Sequence, residues 1–382
     1  MLSPAKALAA LLVLLVAGCA TRSRRYEARA TDWEAEDAAT ARAIVPSAPV
    51  FEPAPPPPVA PPKIARTPEP TETWVALNRW SKGQGLAPPA LLAMAPLPTF
   101  ALKMAGGSLI LRAGSRVAYW DGLDLRLGYA PHLIDGQLFV HALDLKKSIL
   151  PLPGSAPLSC LRTNPIIVID PGHGGENAGT KSVLGNRYEK EFTLDWARRL
   201  QRLLLTNGWQ VFLTHSNDTD MALSNRVAFA QERQAGLFLS LHFNSAAPDE
   251  GEAGLETYAL TPAGMPSTVT RGFNDDPSLT FPNNAFDAQN LQFAVRIHRE
   301  ILEVNGRRDR GLRRARFPGV LRGQQRPAVL VEGGYLSNPG EAALIATPAY
   351  RQKLAAAVAR ALVDESGFSG QHVQTDSPTN AP

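Results

Sequence analysis

The chain is poor in the residues that build disulfide-stabilised folds and cysteine-bound metal sites. It has two cysteines, Cys19 and Cys160, in 382 residues, too few for a disulfide framework or a cysteine-rich metal site. Any metal site must therefore use histidine and carboxylate ligands. The sequence also lacks a long run of lysine and arginine, and its formal net charge is only +4. This charge pattern argues against a nucleic-acid partner.

The apolar run near the N-terminus is too short to span a membrane. Ala7–Ala17 contains 11 residues, whereas a transmembrane helix needs about 20. Lys6 precedes this run and small residues followed by Cys19 end it, which is the pattern of a secretory signal peptide. The end of the segment resembles a bacterial lipobox, which implies lipidation of Cys19 and removal of residues 1–18. An ordinary signal peptide with an incidental cysteine is the alternative.

Residues 19–96 show few signs of a fold and are predicted to be a disordered, proline-rich tether. A third of the 33 prolines in the chain lie between Pro46 and Pro70. The segment 53–62 is typical of a polyproline II spacer, which extends by about 3.1 Å per residue. A tether of this kind would hold the following domain clear of a lipid anchor.

Residues 97–152 are predicted to form a small β-rich domain. Asp121-Gly122 and Asp135-Gly136 each lie between short apolar runs, and Asp-Gly in that setting is a strong hairpin signal. The stretch resembles, through its turns and apolar spacing, the small domain named after the copper amine oxidase N-terminus.

Residues 165–365 alternate between predicted strands and helices. Ile166–Ile169 is a continuous apolar run, which suits a strand buried on both faces of a parallel sheet. The alternation predicts an α/β domain with a mostly parallel, twisted sheet and helices on both faces. Predicted helical faces are Phe192, Trp196, Leu200 and Leu204, and then Leu291, Ala294, Val295, His298 and Leu302. The polar tail 367–382 is predicted to be disordered.

Polar residues follow three of the predicted strands. His173, His242 and Glu332 each lie where a strand ends, and ligands of open α/β sheets bind beyond the carboxyl ends of the strands. Glu189, at the start of the first long helix, is a fourth candidate for the same crevice. Two imidazoles and a carboxylate with an open position are typical of a catalytic zinc site. Glu332 is then a candidate base for activating a water.

Five ordered motifs carry a family resemblance over residues 165–365. They are Ile-Asp-Pro-Gly-His-Gly-Gly (169–175), Tyr-Glu-Lys-Glu (188–191), Leu-Ser-Asn-Arg-Val (223–227), Ser-Leu-His-Phe-Asn (240–244) and Val-Glu-Gly-Gly-Tyr-Leu-Ser-Asn-Pro (331–339). Together they resemble the zinc-dependent N-acetylmuramoyl-L-alanine amidases of the type-3 family. The resemblance implies one Zn²⁺ per chain, bound by His173, Glu189 and His242, with Glu332 as the catalytic residue.

The sequence departs from that family in two places, at His215 and in the segment Thr261–Asn284. His215 stands where the family usually has arginine, and it is interpreted as structural rather than as a ligand. His298 receives the same interpretation because it falls on an apolar helical face. The segment Thr261–Asn284 lies where some members carry a regulatory helix, but it has no apolar helical pattern. We expect a loop that shapes the cleft.

Three further residues are candidate substrate contacts. Six arginines lie between Gly306 and Arg316, and Arg313 or Arg314 is the expected contact to an anionic wall polymer or peptide carboxylate. A solvated surface loop is the alternative. Asn244 either polarises the substrate or caps the following turn.

The sequence therefore predicts a peptidoglycan hydrolase that cleaves the amide between N-acetylmuramic acid and the L-alanine of the stem peptide. A catalytically idle peptidoglycan-binding module and a zinc peptidase acting on the stem peptide are the alternatives. The expected location is the bacterial cell envelope, with a lipid anchor. If the organism has an outer membrane, Ala20 after Cys19 favours sorting to its periplasmic face. The sequence does not identify an activator protein.

Overall fold

A computed structural model describes residues 73–153, 161, 163–272 and 274–363 of the chain. The predicted signal peptide, the lipidated Cys19, the tether up to residue 72 and the tail 367–382 lie outside these residues. No helix in the described part is long and apolar enough to cross a membrane.

The first described segment is rich in short strands. Its elements are β1 (Trp74–Ala76), α1 (Leu77–Gly83), β2 (Ala90–Ala93), β3 (Thr99–Met104), β4 (Gly107–Arg112), β5 (Val117–Trp120), β6 (Leu123–Arg126), β7 (His132–Ile134), β8 (Gln137–His141) and α2 (Ala142–Asp144), followed by a π-helical turn at Leu145–Ile149. Strands β5 and β6 pair around Asp121-Gly122, and β7 and β8 pair around Asp135-Gly136. Both predicted hairpins are confirmed.

The second segment alternates strands and helices. Its elements are β9 (Ile166–Pro171), α3 (Glu189–Thr206), β10 (Gln210–Leu213), α4 (Leu223–Glu232), β11 (Leu237–Asn244), β12 (Leu255–Leu260), a 3₁₀ turn (Pro282–Phe286), α5 (Asp287–Asn305), β13 (Asp309–Ala315), α6 (Gly319–Arg322), β14 (Ala328–Tyr335), α7 (Pro339–Ala346) and α8 (Pro348–Leu362).

One large mixed sheet organises the described residues. Eleven of the described strands join in the order β10-β9-β11-β14-β12-β13-β6-β5-β4-β3-β2. The pairs from β10 to β14 are parallel, whereas β12 runs antiparallel to β14. Helices α3, α5 and α8 cover one face of the β9–β14 part, and α4 and α6 lie on the other. The predicted α/β class, with helices on both faces, is confirmed.

Strand β9 shows why a strand covered by helices on both faces of this sheet needs a continuous apolar run. Ile167 and Ile169 pack into the core beneath α3 and α8, whereas Val168 packs into the separate cluster on the opposite face. All three side chains are fully buried, so both faces of the strand must be apolar. The face of α3 predicted from helical spacing is buried against this strand, from Phe192 to Leu204.

The predicted boundary at residue 96 is wrong, because the fold begins earlier. Residues 74–93, assigned to the tether, form β1, α1 and β2. Strand β1 pairs with β8, and Leu77 is fully buried in the core. These elements have only three to seven residues, so apolar periodicity could not distinguish them from the proline-rich sequence before them.

The N-terminal β-rich unit continues the sheet of the α/β segment rather than standing apart from it. Strand β6 runs parallel to β13, and the backbone N–H of Asp124 donates to Asp309 Oδ2 at 2.8 Å. The unit also contacts the segment 261–284, since Tyr129 OH donates to the Gly264 carbonyl and Arg116 Nη2 to the Ser267 carbonyl, at 2.9 and 3.2 Å. The N-terminal unit therefore helps to hold the segment 261–284 in place.

Candidate metal centre

Three side chains from separate elements meet beyond the carboxyl ends of β9 and β11. His173 follows β9, Glu189 begins α3 and His242 lies near the end of β11. His173 Nε2 is 3.0 Å from Glu189 Oε2, and His242 Nδ1 is 2.9 Å from Glu189 Oε1. Within the described ranges, this trio is the group of His, Cys, Asp and Glu side chains with metal-ligand spacing, all ligand atoms lying within 4.8 Å of one another.

The loop after β9 brings His173 directly against β11. The Gly172 N–H donates to the Leu241 carbonyl at 2.9 Å. A Cβ at Gly172 would lie 2.3 Å from the His242 ring, so only glycine fits there. His173 itself has a φ of 67°, in the left-handed region that residues with a side chain seldom adopt. Close approach of the two imidazoles thus depends on an unusual backbone.

Glu189 is held as a carboxylate. It lies in the first turn of α3, where the helix dipole favours negative charge. Its Oε1 accepts from the Phe243 N–H at 3.0 Å and its Oε2 from the Thr180 N–H at 3.1 Å. Burial raises the pKa of Glu189, but His173 and His242 outweigh burial and hold that pKa below its usual range.

The imidazoles differ in their surroundings. Burial lowers the pKa of both rings; Glu189 outweighs this at His173 and raises its pKa, whereas at His242 burial prevails. His173 Nδ1 lies 2.7 Å from Asn177 Oδ1. With a proton on Nδ1, the ring donates to Asn177 and leaves Nε2 as a ligand atom, an arrangement common at metal sites. Two imidazole nitrogens and one carboxylate oxygen fit Zn²⁺ better than a cation that needs an all-oxygen shell.

Glu332 is a buried carboxyl with an unused oxygen beside this trio. Its Cα is paired with that of His242 across the parallel strands β11 and β14. The residue is 7% exposed, and Oε2 has no hydrogen-bond partner among the described residues. Burial raises the pKa of Glu332 to about 8, with Glu189 and Glu256 adding to the effect and Arg271 opposing it. A carboxyl that exchanges its proton near neutral pH suits general acid–base chemistry.

A second carboxylate, Glu256, faces Glu332 across the antiparallel strands β12 and β14. Its Oε2 accepts from Tyr258 OH at 2.6 Å and from Asn244 Nδ2 at 3.1 Å, and its Oε1 accepts from Arg310 Nε at 2.9 Å. Burial raises the pKa of Glu256, but the hydrogen bonds from Tyr258 and Arg310 and the charges of Arg313 and Arg271 lower it below its usual value. Sequence reasoning missed Glu256; the available signal was a glutamate within a short apolar run.

Arg271 comes from the segment Thr261–Asn284 and enters the same cleft. Its Nη2 lies 2.9 Å from Asn244 Oδ1 and 3.3 Å from Tyr258 OH. Apart from the 3₁₀ turn at Pro282–Phe286, the described residues of this segment form neither helix nor strand. The predicted loop is confirmed there. Arg271 itself was missed, because no local pattern shows where a loop side chain points.

The three predicted substrate residues differ in position. Asn244 is 4% exposed, and its amide is occupied by Glu256 and Arg271. Arg313 Nη2 lies 3.5 Å from Glu256 Oε1, at the edge of the cleft. Arg314 is buried and directs Nη2 to the Lys147 carbonyl at 3.2 Å. The predicted substrate contact of Arg314 is wrong, because neighbouring side chains on a strand point to opposite faces.

The two histidines interpreted as structural lie outside the ligand trio. His298 is fully buried, with Nδ1 2.8 Å from Thr257 Oγ1 and Nε2 2.9 Å from Asp309 Oδ1. His215 is also buried, and its Nδ1 lies 3.2 Å from Thr214 Oγ1.

These features indicate the class of protein to which the chain belongs. An α/β chain with a histidine–glutamate–histidine trio beside a buried carboxyl of raised pKa has the parts of a metal-dependent hydrolase. A sequence profile described as N-acetylmuramoyl-L-alanine amidase, Amidase_3, matches residues 167–364, just over half of the chain. The chain belongs to the Amidase_3 family.

Individual relatives match over the same region. N-acetylmuramoyl-L-alanine amidase AmiC of Escherichia coli is 30% identical over 241 residues, covering 56% of this chain and 56% of that protein. Amidase CwlM of Bacillus licheniformis is 33% identical, covering 50% of this chain and 64% of that protein. The solved catalytic domain of CwlV from Bacillus (Paenibacillus) polymyxa is 31% identical, with a TM-score of 0.42, and covers 52% of this chain and 95% of that domain. The chain thus spans less than two thirds of both curated relatives.

The raised pKa of Glu332 predicts that this side chain destabilises the metal-free folded protein as the pH rises. In metal-free protein, folded Glu332 keeps its proton up to about pH 8, whereas the unfolded chain releases it near the ordinary value of 4.5. The folded state binds more protons in that interval, so stability falls as pH rises. Glu332→Gln removes this effect. With a chelator present, its free energy of unfolding should exceed that of the wild type by at least about 1 kcal/mol at pH 8.

Denaturant unfolding at pH 5 and pH 8 checks this expectation. Glu303→Gln, which changes an exposed glutamate on α5, is the control. Its free energy of unfolding should differ from that of the wild type by the same small amount at both pH values. An unfolding free energy for Glu332→Gln at or below that of the wild type at pH 8 would contradict the expectation.

Proposed function

We propose that this chain is a zinc-dependent amidase of the cell envelope. It hydrolyses the amide between the lactyl group of N-acetylmuramic acid and the L-alanine of the peptidoglycan stem peptide. The observation that carries the proposal is the unpaired Oε2 of Glu332 beside the trio of His173, Glu189 and His242. Membership of a family described as N-acetylmuramoyl-L-alanine amidase supports the substrate class.

The trio supplies the ligands and little else. Zn²⁺, when bound there, supplies a Lewis acid that polarises an amide carbonyl and lowers the pKa of a water. His173 and His242 contribute neutral nitrogens, and Glu189 contributes the one ligand charge. Backbone N–H groups of Phe243 and Thr180 hold the Glu189 carboxylate in place.

Glu332 is the proposed general base. Its unpaired Oε2 takes a proton from the attacking water and then returns that proton to the departing amide nitrogen. Arg271 and Glu256 set the charge around it. Glu256 neutralises the surrounding arginines, while Arg271 favours the ionised form of Glu332. Arg313 is the proposed contact for an anionic part of the substrate.

The zinc assignment predicts one equivalent of Zn²⁺ per chain in the purified protein. A His173→Ala/His242→Ala double variant should lose it, because one carboxylate alone cannot form the site. Affinity of the wild type should fall at low pH as the histidines take up protons. Elemental analysis measures the zinc content, and His132→Ala, at an exposed position on β7, should keep a full equivalent. A full equivalent in the double variant would exclude this ligand set.

The base assignment predicts that metal and activity separate in Glu332→Gln. This variant should keep zinc but digest purified sacculi about 10²–10⁴-fold more slowly, because the amide side chain cannot accept the proton. Mass spectrometry of the products should show cleavage between muramic acid and L-alanine in the wild type. Glu191→Gln, on the exposed side of α3, is the control and should digest at the wild-type rate.

Three outcomes would count against the base assignment or the proposed activity. If Glu332→Gln digests sacculi at the wild-type rate, Glu332 is not the general base. Sacculi that bind wild-type, zinc-loaded protein without release of any product would favour an idle binding module, and shortened peptides among the products would favour a peptidase.

The location is also part of the proposal. Lipidation of Cys19 would tether the folded residues to a membrane through the proline-rich segment, on the periplasmic side of an outer membrane where one exists. Cys19→Ser should release the protein from the membrane fraction or leave its precursor uncleaved. Cys160→Ser, the other cysteine of the chain, is the control and should fractionate as the wild type does. Wild-type protein recovered wholly in soluble fractions would contradict the anchor.

A further inference from the structure

The motif Leu-Ser-Asn-Arg-Val at 223–227 has no part in the proposed chemistry, yet its arginine is almost wholly buried. Arg226 is 3% exposed although α4 lies at the surface. Its guanidinium reaches from α4 to the end of β9, where Nη1 donates to Asp170 Oδ1 at 2.9 Å and to the Pro171 carbonyl at 2.8 Å. Nη2 donates to the His173 carbonyl at 2.9 Å, and Nε donates to the Met221 carbonyl at 2.9 Å. One side chain thus joins α4 to the end of β9 and to His173, the first of the proposed metal ligands.

The backbone that Arg226 holds is the unusual one. His173 has a φ of 67°, and a left-handed conformation at a residue with a side chain persists only when its surroundings enforce it. The hydrogen bond to the His173 carbonyl acts at that residue. The imidazole of the same residue points Nε2 toward Glu189, so a change in this backbone moves a metal ligand.

Asp170 fixes the position of Arg226 in turn. Asp170 is fully buried and accepts from Thr214 Oγ1 at 2.7 Å and from Ser240 Oγ at 2.9 Å, besides Arg226. The carboxylate is therefore immobile in the carboxyl end of the sheet. Buried ion pairs add little to stability compared with apolar packing of the same volume, which points to a role other than stabilisation.

We propose that Arg226 is a positioning residue for the metal centre, which acts by locking the left-handed backbone at His173 and so placing Nε2 for the metal. The inference rests on the metal site of the proposed function but not on the amide substrate. It concerns metal affinity and geometry, and it therefore stands or falls independently of sacculus digestion.

Arg226→Lys tests the inference in the full chain. Lysine keeps the charge beside Asp170 but lacks the planar fork that reaches several acceptors at once. We expect the Kd for Zn²⁺, measured by competition with a chelator, to rise by about 10–100-fold, the usual range for residues that orient metal ligands. The visible spectrum of the Co²⁺-loaded variant should also differ from that of the wild type, because the His173 imidazole is no longer held in a single orientation.

Arg351→Lys is the matched control. Arg351 is also a buried arginine, on α8, and it bonds to a carboxylate, Asp195, and to a backbone carbonyl, that of Ile345, rather than to the loop that carries His173. Both lysine variants should lower the Tm of the metal-free protein by comparable amounts, but only Arg226→Lys should weaken Zn²⁺ binding. A wild-type Kd and Co²⁺ spectrum for Arg226→Lys, or equal weakening by Arg351→Lys, would overturn the inference.

A second variant decides the matter if Arg226→Lys does not fold. Thr214→Val keeps the side-chain shape but removes one of the hydrogen bonds that hold Asp170. It changes neither Arg226 nor a residue of the loop and acts only by loosening Asp170. We therefore expect the Kd for Zn²⁺ to rise, but by less than in Arg226→Lys. In that case a wild-type Kd for Thr214→Val would reject the role assigned to Arg226.

Discussion

The Glu189 carboxylate between two imidazoles is the interaction on which the rest of the site depends. Its two oxygens lie 3.0 Å from His173 Nε2 and 2.9 Å from His242 Nδ1, so three separate elements must converge on one carboxylate. Strands β9 and β11 must be neighbours, and the first turn of α3 must lie above both. The parallel order of these strands meets the requirement, because their carboxyl ends lie at the same edge.

The antiparallel strand β12 places a second glutamate, Glu256, opposite Glu332. Register places Glu332 beside His242 on one side and opposite Glu256 on the other. Two glutamates on adjacent buried strands repel each other, and they differ because Glu256 is fully hydrogen-bonded while Glu332 keeps one oxygen unpaired. Environment thus divides two identical side chains into a fixed anion and a proton-exchanging group, the usual basis of acid–base roles in a site.

Residues whose roles follow from local pattern were predictable, and those whose roles depend on distant contacts were not. The apolar run at β9, the helical face from Phe192 to Leu204 and the polar residues after the strands are local signals, and the structure brings His173, Glu189 and His242 together. Arg271 and Glu256 gain their roles only from partners that fold beside them. Arg314 has the same local sequence context as Arg313, and the two differ because adjacent side chains on β13 point to opposite faces of the sheet.

The N-terminal unit shows the same limit on a larger scale. Its hairpins follow from Asp-Gly turns, but no local rule states that β6 would pair with β13 and extend the sheet of the α/β segment. That pairing has a consequence for the cleft, because Tyr129 and Arg116 bond to the segment that carries Arg271. A loop that projects a guanidinium beside Glu332 needs support from behind, since its own residues form little regular structure. The β-rich unit supplies that support, and the charge environment of the candidate base therefore depends on residues far outside the family match.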